Sequence, residues 1–202
     1  MEKYYIYIIA LAILLILVFY LYSIMNNYTM NNYTMNNNTI NNKPIYAIAV
    51  FNDTIKGTVK FTEDLNNNVV VIDLNLSGLK PNSFHGFHVH EAGDLTDKCT
   101  SMCAHFNPYG KTHGCPGMSE RHVGDLGNIK TNSKGDAKYS FYDNVIKLRG
   151  SKSNIIGRGL IIHEDEDDCG KGGDAESLKT GNAGKRIACA VIGYSKENFK
   201  NC

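Results

Sequence analysis

The 202-residue sequence has almost no net charge: 21 Lys and Arg stand against 20 Asp and Glu, a formal +1. No global field therefore favours nucleic acid or an anionic membrane surface as a partner. Without residues 1–43, which carry Glu2, Lys3 and Lys43, 19 charges of each sign remain, so any selectivity for an anion must be local. Tryptophan is absent, and four prolines accompany 19 glycines, a balance that points to many tight turns. Helical periodicity is missing as well. After residue 44 no apolar stripe of helical spacing lasts three turns, which argues against a helical domain.

Charge is missing altogether from Tyr4 to Met25, a run of 22 residues. As a helix this run would span ~33 Å, about the hydrocarbon thickness of a bilayer. Tyr4, Tyr5 and Tyr7 at one end and Tyr20 and Tyr22 at the other match the aromatic belts of a spanning helix. The run exceeds the apolar core of a cleaved signal and no A-x-A site follows it. We expect residues 1–25 to be an uncleaved signal anchor, with a cleaved signal peptide as the alternative. A buried core helix fits least, because the run is apolar on every face. Lys3 favours a cytoplasmic amino end, which puts the rest of the chain on the exoplasmic side, membrane-anchored or secreted. Residues 26–43 begin with NNYTMNNYTMNNNTINN, uncharged and poor in packable side chains, and read as a disordered stalk. Sequons lie at Asn27, Asn32, Asn37, Asn52 and Asn75, either as glycosylation sites or as chance products of an Asn-rich composition.

Residues 44–202 read as one all-β domain. Candidate strands are 45–51, 57–62, 69–76, 84–90, 123–130, 137–142, 158–164 and 187–194. Val69, Val71, Asp73 and Asn75 alternate with Val70, Ile72, Leu74 and Leu76, as on a strand with one packed face and one wet one. Eight such strands with Gly-bearing turns point to an antiparallel sandwich or barrel. Two stretches, 91–122 and 165–186, are too long for ordinary connections, and loops of that length are usually functional.

The chemistry flanks or occupies those two loops. In HGFHVHE, His88 and His90 alternate on a strand and so share a face. Two imidazoles at that spacing cannot close a metal site alone. His105, His113, His122 and Asp125 follow at gaps of eight, nine and three residues, the spacing of a loop folded round an ion. His163 ends the strand GRGLIIHE. One strand histidine is ordinarily a surface or structural residue; six in Gly-rich context across three elements are not background. Imidazole suits copper and zinc, and three His with a carboxylate make an ordinary tetrahedral zinc set.

The segments HGFHVHE (85–91), HFNP (105–108), ERHVGDLGN (120–128), GKGG (170–173) and KTGNAGKRIAC (179–189) resemble the signature blocks of the Cu/Zn superoxide dismutase family. The similarity runs from about Ile45 to about Ser195. It implies an eight-stranded antiparallel Greek-key barrel or sandwich with two functional loops, here preceded by one hydrophobic helix. It implies copper held by His88, His90, His105 and His163, and zinc by His105, His113, His122 and Asp125, with His105 bridging. His85 matches a structural histidine. Asp167 matches a carboxylate that links the two metal sites through their histidines; the rest of the acidic run Glu164–Asp168 reads as a solvated face. Arg186 matches an arginine that orients superoxide at the mouth, with His105 as the other catalytic residue. Glu176 and Lys179 match charges that shape the approach of the anion, although Ala175 stands where the family has a second acid.

The resemblance further implies a Cys99–Cys189 disulfide. Cys103, Cys115, Cys169 and Cys202 lie outside the family's common pattern. Cys115 follows His113 by two residues and Cys169 follows Asp167 by two, so the implied bond between His113 and Asp167 would bring the cysteines together, as a second disulfide or as packed thiols. The implied reaction is disproportionation of superoxide into dioxygen and hydrogen peroxide with copper and zinc as cofactors. The competing readings are a copper-delivery protein and an inactive metal-binding homologue. A homodimer through Ile156, Gly157, Val191 and Gly193 is also implied, with Tyr194 where a small aliphatic residue is common.

Overall fold

The computed structural model describes Tyr4, residues 13–30 and residues 43–202, and divides the chain into two units, Met1–Lys43 and Pro44–Cys202. In the first unit, helix α1 (Ile13–Met30) is long and apolar enough to cross a membrane, by length and composition. Its large side chains are exposed, Phe19 at 75%. The helix runs five residues into the segment expected to be stalk, which corrects that boundary. Asn and Thr are weak helix formers, but Thr29 Oγ1 donates back to the Met25 carbonyl and satisfies its hydroxyl locally. Residues 5–12 of the uncharged run and 31–42 of the stalk, with Asn32 and Asn37, lie outside the described residues.

The second unit is two antiparallel sheets packed face to face. Strands β1 (Tyr46–Asn52), β2 (Lys56–Asp64), β3 (Val69–Ser77) and β6 (Ala137–Asp143) form one sheet with β9 (Gly193–Tyr194), in the order β6-β3-β2-β1-β9. Strands β4 (Phe84–His90), β5 (Asp125–Lys130), β7 (Gly159–His163) and β8 (Arg186–Val191) form the other, in the order β5-β4-β7-β8. The neighbours β3·β6 and β4·β7 are not consecutive in the chain, which is the Greek-key crossover expected. Alternation decides which face is which: Val70, Ile72, Leu74 and Leu76 of β3 are buried and Asn75 is exposed. They meet Phe61, Phe87, Val89, Ile129, Leu160 and Ile162 in one core between the sheets.

The described residues hold nine strands rather than eight, because the expected strand 187–194 breaks at Ile192. The Ile192 N–H donates to the Arg158 carbonyl and its own carbonyl accepts from the Gly157 N–H, which takes the backbone off the ladder with β7. The chain then crosses to pair with β1 through Ala47 and Ile48. The two long loops join β4 to β5 and β7 to β8, so both leave from the four-stranded sheet.

Candidate metal centre

Strand β4 is buried on both faces from His85 to His90. Phe87 and Val89 belong to the core; His88 and His90 therefore project from the opposite face, beneath the loops. Gly86, two residues before His88 on the same strand, leaves no room for a side chain. A Cβ there would lie 2.6 Å from Ala183 Cβ and 3.1 Å from the His88 ring. His163 ends β7, one strand over, and His105 is bridged to His90 at the start of the first loop's return. The ring centroids of His105 and His163 lie 4.1 and 4.8 Å from that of His88.

Each of these four rings has one nitrogen fixed by a hydrogen bond. His88 Nε2–H donates to Asp167 Oδ2 at 2.7 Å, and His90 Nδ1–H to the Cys103 carbonyl at 2.9 Å. His105 Nδ1–H donates to Asp125 Oδ1 at 2.9 Å, and His163 Nδ1–H to the Gly184 carbonyl at 3.1 Å. The other nitrogens, His88 Nδ1 and Nε2 of His90, His105 and His163, are buried with no partner. A buried polar atom without a partner costs about 1–3 kcal/mol, so four facing one point require something there. Donor atoms of these four residues lie within 4.8 Å of one another, and an all-nitrogen set of this kind fits copper.

The second cluster adjoins the first through His105. Nδ1 of His105, His113 and His122 lie 2.9, 3.0 and 3.1 Å from Asp125 Oδ1. A tetrahedron with bonds of about 2.0 Å has edges of about 3.3 Å, so three imidazoles and a carboxylate already stand near the spacing of a zinc site. Asp125 is the first residue of β5, opposite His88 on β4, and its Oδ2 also accepts from the backbone N–H of Gly114 and His122. Next door, Arg121 bonds Asp143 at 2.6 Å and the His122 carbonyl at 3.1 Å, both side chains of the ion pair being buried, and so ties the end of the first loop to β6.

Asp167 spans the two clusters. Its Oδ2 accepts from His88, and its Oδ1 accepts from His113 Nε2–H at 2.8 Å. Its backbone is held at both ends by the Asn128 amide, which accepts from the Asp167 N–H and donates to the Asp167 carbonyl, each at 2.8 Å. Gly181, at φ 67°, closes over this bond. A Cβ there would sit 2.1 Å from Asp167 Oδ1.

The protonation pattern differs across the centre. Burial pushes His88 down to about 3 and His163 down to about 4, and it lowers His90 and His105 as well, so the four present lone pairs. Burial acts the same way on His113, but hydrogen bonds to Asp125 and Asp167 outweigh it and hold the ring up at about 9. Burial raises both carboxyls, and their histidine bonds overcome it and take them well below the usual range.

Arg186 stands at the mouth of the cleft lined by His90, His105 and His163. Nη1 donates to the Cys99 carbonyl at 2.7 Å and Nη2 to the Cys103 carbonyl at 2.5 Å. Glu176 and Lys179 line the same cleft on the one-turn helix α2 (Ser177–Thr180) and its cap. Both disulfides are present: Cys99–Cys189 with Cα atoms 5.5 Å apart, and Cys115–Cys169 at 4.9 Å. Cys103 and Cys202 are free and exposed. His85 Nδ1–H donates to the His163 backbone carbonyl at 2.8 Å and belongs to neither donor set.

Four participants go beyond the residues that the sequence singles out. The carbonyls of Cys99 and Cys103 that hold Arg186 are backbone atoms and leave no sequence signal; Asn128 stood in the block ERHVGDLGN and was visible there. Asp168 is not simply part of a solvated face: it accepts from Ser177 Oγ at 2.7 Å and from Asn182 Nδ2 at 2.8 Å, which folds the second loop.

A family profile described as "Copper/zinc superoxide dismutase (SODC)" matches residues 55–192. The chain belongs to the copper/zinc superoxide dismutase family. It is 66% identical over 157 residues to the superoxide dismutase [Cu-Zn] of Paramecium bursaria Chlorella virus 1, covering 78% of this chain and 82% of that protein. It is 53% identical over 153 residues to that of Yarrowia lipolytica, covering 75% and 99%. The crystal structure of the clock protein EA4 superposes with a TM-score of 0.72 at 44% identity, covering 75% of this chain and 96% of that one. Copper and zinc are the family's metals, and the two donor sets fit them.

Proposed function

We propose that His88, His90, His105 and His163 hold copper, that His105, His113, His122 and Asp125 hold zinc, and that the domain disproportionates superoxide to dioxygen and hydrogen peroxide. The observation that carries this is the convergence of four buried, unpartnered ring nitrogens beside a three-histidine, one-aspartate set that shares His105. Copper supplies alternating one-electron chemistry when bound, and zinc a fixed charge without redox activity. The chain's own tasks are attraction, orientation and proton handling. Arg186, with Lys179 on the cleft wall, draws the anion in and orients it, while Glu176 balances the field. His105 Nε2 is the atom placed to take up and return the proton that hydrogen peroxide needs, since its Nδ1 stays engaged on the zinc side. Asp167 sets the ring orientation of His88 and His113 together.

A copper-delivery protein or an inactive binder has no use for Arg186 at the mouth, and no observation favours either. Metal content and superoxide consumption measured on one preparation separate all three. We expect full loading with rapid consumption, loss of activity on chelation and return of activity with both metals. Full loading without consumption overturns the enzymatic reading.

The uncharged run from Tyr4 to Met25 and the exposed apolar surface of α1 support a signal anchor that leaves the domain exoplasmic, or a cleaved signal and secretion. The two disulfides suit an oxidising compartment. Exposed Tyr194 with half-buried Ile156 and Val191 offers an apolar patch for a homodimer. The full-length protein should resist carbonate extraction from membranes and come off in detergent. A chain beginning at Lys43 should be soluble, fully active and dimeric by sedimentation at micromolar concentration. Full-length protein soluble with Met1 intact counts against both anchor and signal, and a monomer counts against the patch.

A further inference from the structure

The family resemblance implies one disulfide, and this chain has a second, placed against the zinc set. Cys115 lies two residues beyond His113 and Cys169 two beyond Asp167, so the bridge and the His113–Asp167 hydrogen bond together close a small ring of two short backbone stretches. The two ends are tied further into the same atoms. The Cys169 N–H donates to Asp167 Oδ1 at 2.7 Å, the oxygen that His113 Nε2 also meets. The Gly114 N–H donates to Asp125 Oδ2 at 3.0 Å. Beyond Cys115 the first loop is exposed from Pro116 to Glu120. Its attachments to the second loop near this point are few. The His113 N–H donates to the Leu178 carbonyl at 2.9 Å, His113 meets Asp167, and the disulfide joins them.

We propose that the Cys115–Cys169 disulfide is a positioning clamp that sets how long zinc is retained, a reading that rests on His113 as a zinc ligand. For zinc to leave, one of its ligands must swing away, and among them His105, His113 and His122 lie outside the strands, His105 being held by its bridge to His90. His122 is backed by the buried Arg121–Asp143 pair. His113 has no such anchor in its own loop, and the strap to Asp167 takes that place. The copper set is held differently. His88, His90 and His163 are ladder residues of β4 and β7, and of their fixed nitrogens only that of His88 meets the strap, through Asp167 Oδ2. The clamp therefore acts first on zinc, through His113, and reaches copper only at one remove, through Asp167 and His88, whereas a general stabiliser would act on both alike.

The test uses the metal-loaded full-length wild type and its Cys115→Ser/Cys169→Ser variant, with the Cys99–Cys189 bond verified intact by mass. Zinc transfer to 4-(2-pyridylazo)resorcinol and, with ascorbate present to reduce the metal, transfer of copper(I) to bathocuproine are timed at 25 °C. Loss of a group that orients a metal ligand costs about 10–100-fold, and zinc should leave the variant faster by that factor. Copper release should quicken by a smaller factor than zinc release or not at all, and Cys202→Ser should match the wild type in both. An unchanged zinc rate overturns the proposal, and so does an equal acceleration of both metals, which marks general loosening. A wild type that holds no zinc overturns both the clamp and the site assignment. A measurement on the wild type alone needs no variant: with zinc removed, the Gly114 and Cys169 amides should stay protected from hydrogen exchange. Exchange there at the rate of the 116–120 segment also overturns the clamp.

Discussion

His163→Ala is expected to abolish dismutation and copper loading while leaving one zinc per chain. His163 ends β7, and its unpartnered Nε2 is one of the four that face a single point. None of the zinc donors touches it by hydrogen bond: His105, His113 and His122 gather on Asp125 Oδ1. Removing a group that merely orients a ligand costs about 10–100-fold, so losing a ligand should cost more than about 100-fold in activity. Folding should survive. His85 bonds the backbone carbonyl of residue 163, which the substitution keeps, and β7 retains its ladders to β4 and β8. Elemental analysis and superoxide consumption on the same sample check the outcome. Wild-type activity with full copper occupancy would remove His163 from the copper set. Loss of both metals together would show that the clusters do not load independently.

Much of this was legible because the informative residues are chemically unusual for their setting. Six histidines in Gly-rich context announce a metal centre, and β3 announces itself by alternation, Val70 to Leu76 inward against Val71 to Asn75 outward. What was not legible depends on partners far off in the chain. The break at Ile192 follows from bonds to Gly157 and Arg158, which no window round residue 192 contains. Asp168 sits in an acidic run that reads as solvated, and only the fold of the second loop brings Ser177 and Asn182 to it. The tautomers were equally hidden. That His88 bonds through Nε2 but His90 and His163 through Nδ1 follows from where Asp167, Cys103 and Gly184 fall. The end of α1 was misplaced because composition marks Asn26–Met30 as poor helix, while a helix already formed adds residues one at a time with little further cost.

Arg186→Glu is expected to slow the enzyme by about 10- to 10³-fold, the range by which a focused local field changes encounter of an ion with a cleft. The domain's charges cancel overall, so an anion is directed to this opening by local cations, Arg186 together with Lys111 and Lys179 on the cleft wall. The guanidinium is held there by the Cys99 and Cys103 carbonyls, and through Cys99 by the disulfide to Cys189 on β8. The Cys103 carbonyl also fixes His90, so the group that draws the anion in and the group that holds the metal share one support. Glutamate reverses the field and sets a carboxylate against those carbonyls. Arg186→Lys keeps the charge but cannot span both carbonyls with a planar fork, so its loss should be the smaller of the two. Raising the salt concentration should slow the wild type and spare or speed the Glu variant, because screening weakens attraction in one and repulsion in the other. Superoxide consumption by the two variants across a salt series, at equal copper content, gives the comparison. A Glu variant as fast as the wild type at low salt would take Arg186 out of the guidance of substrate.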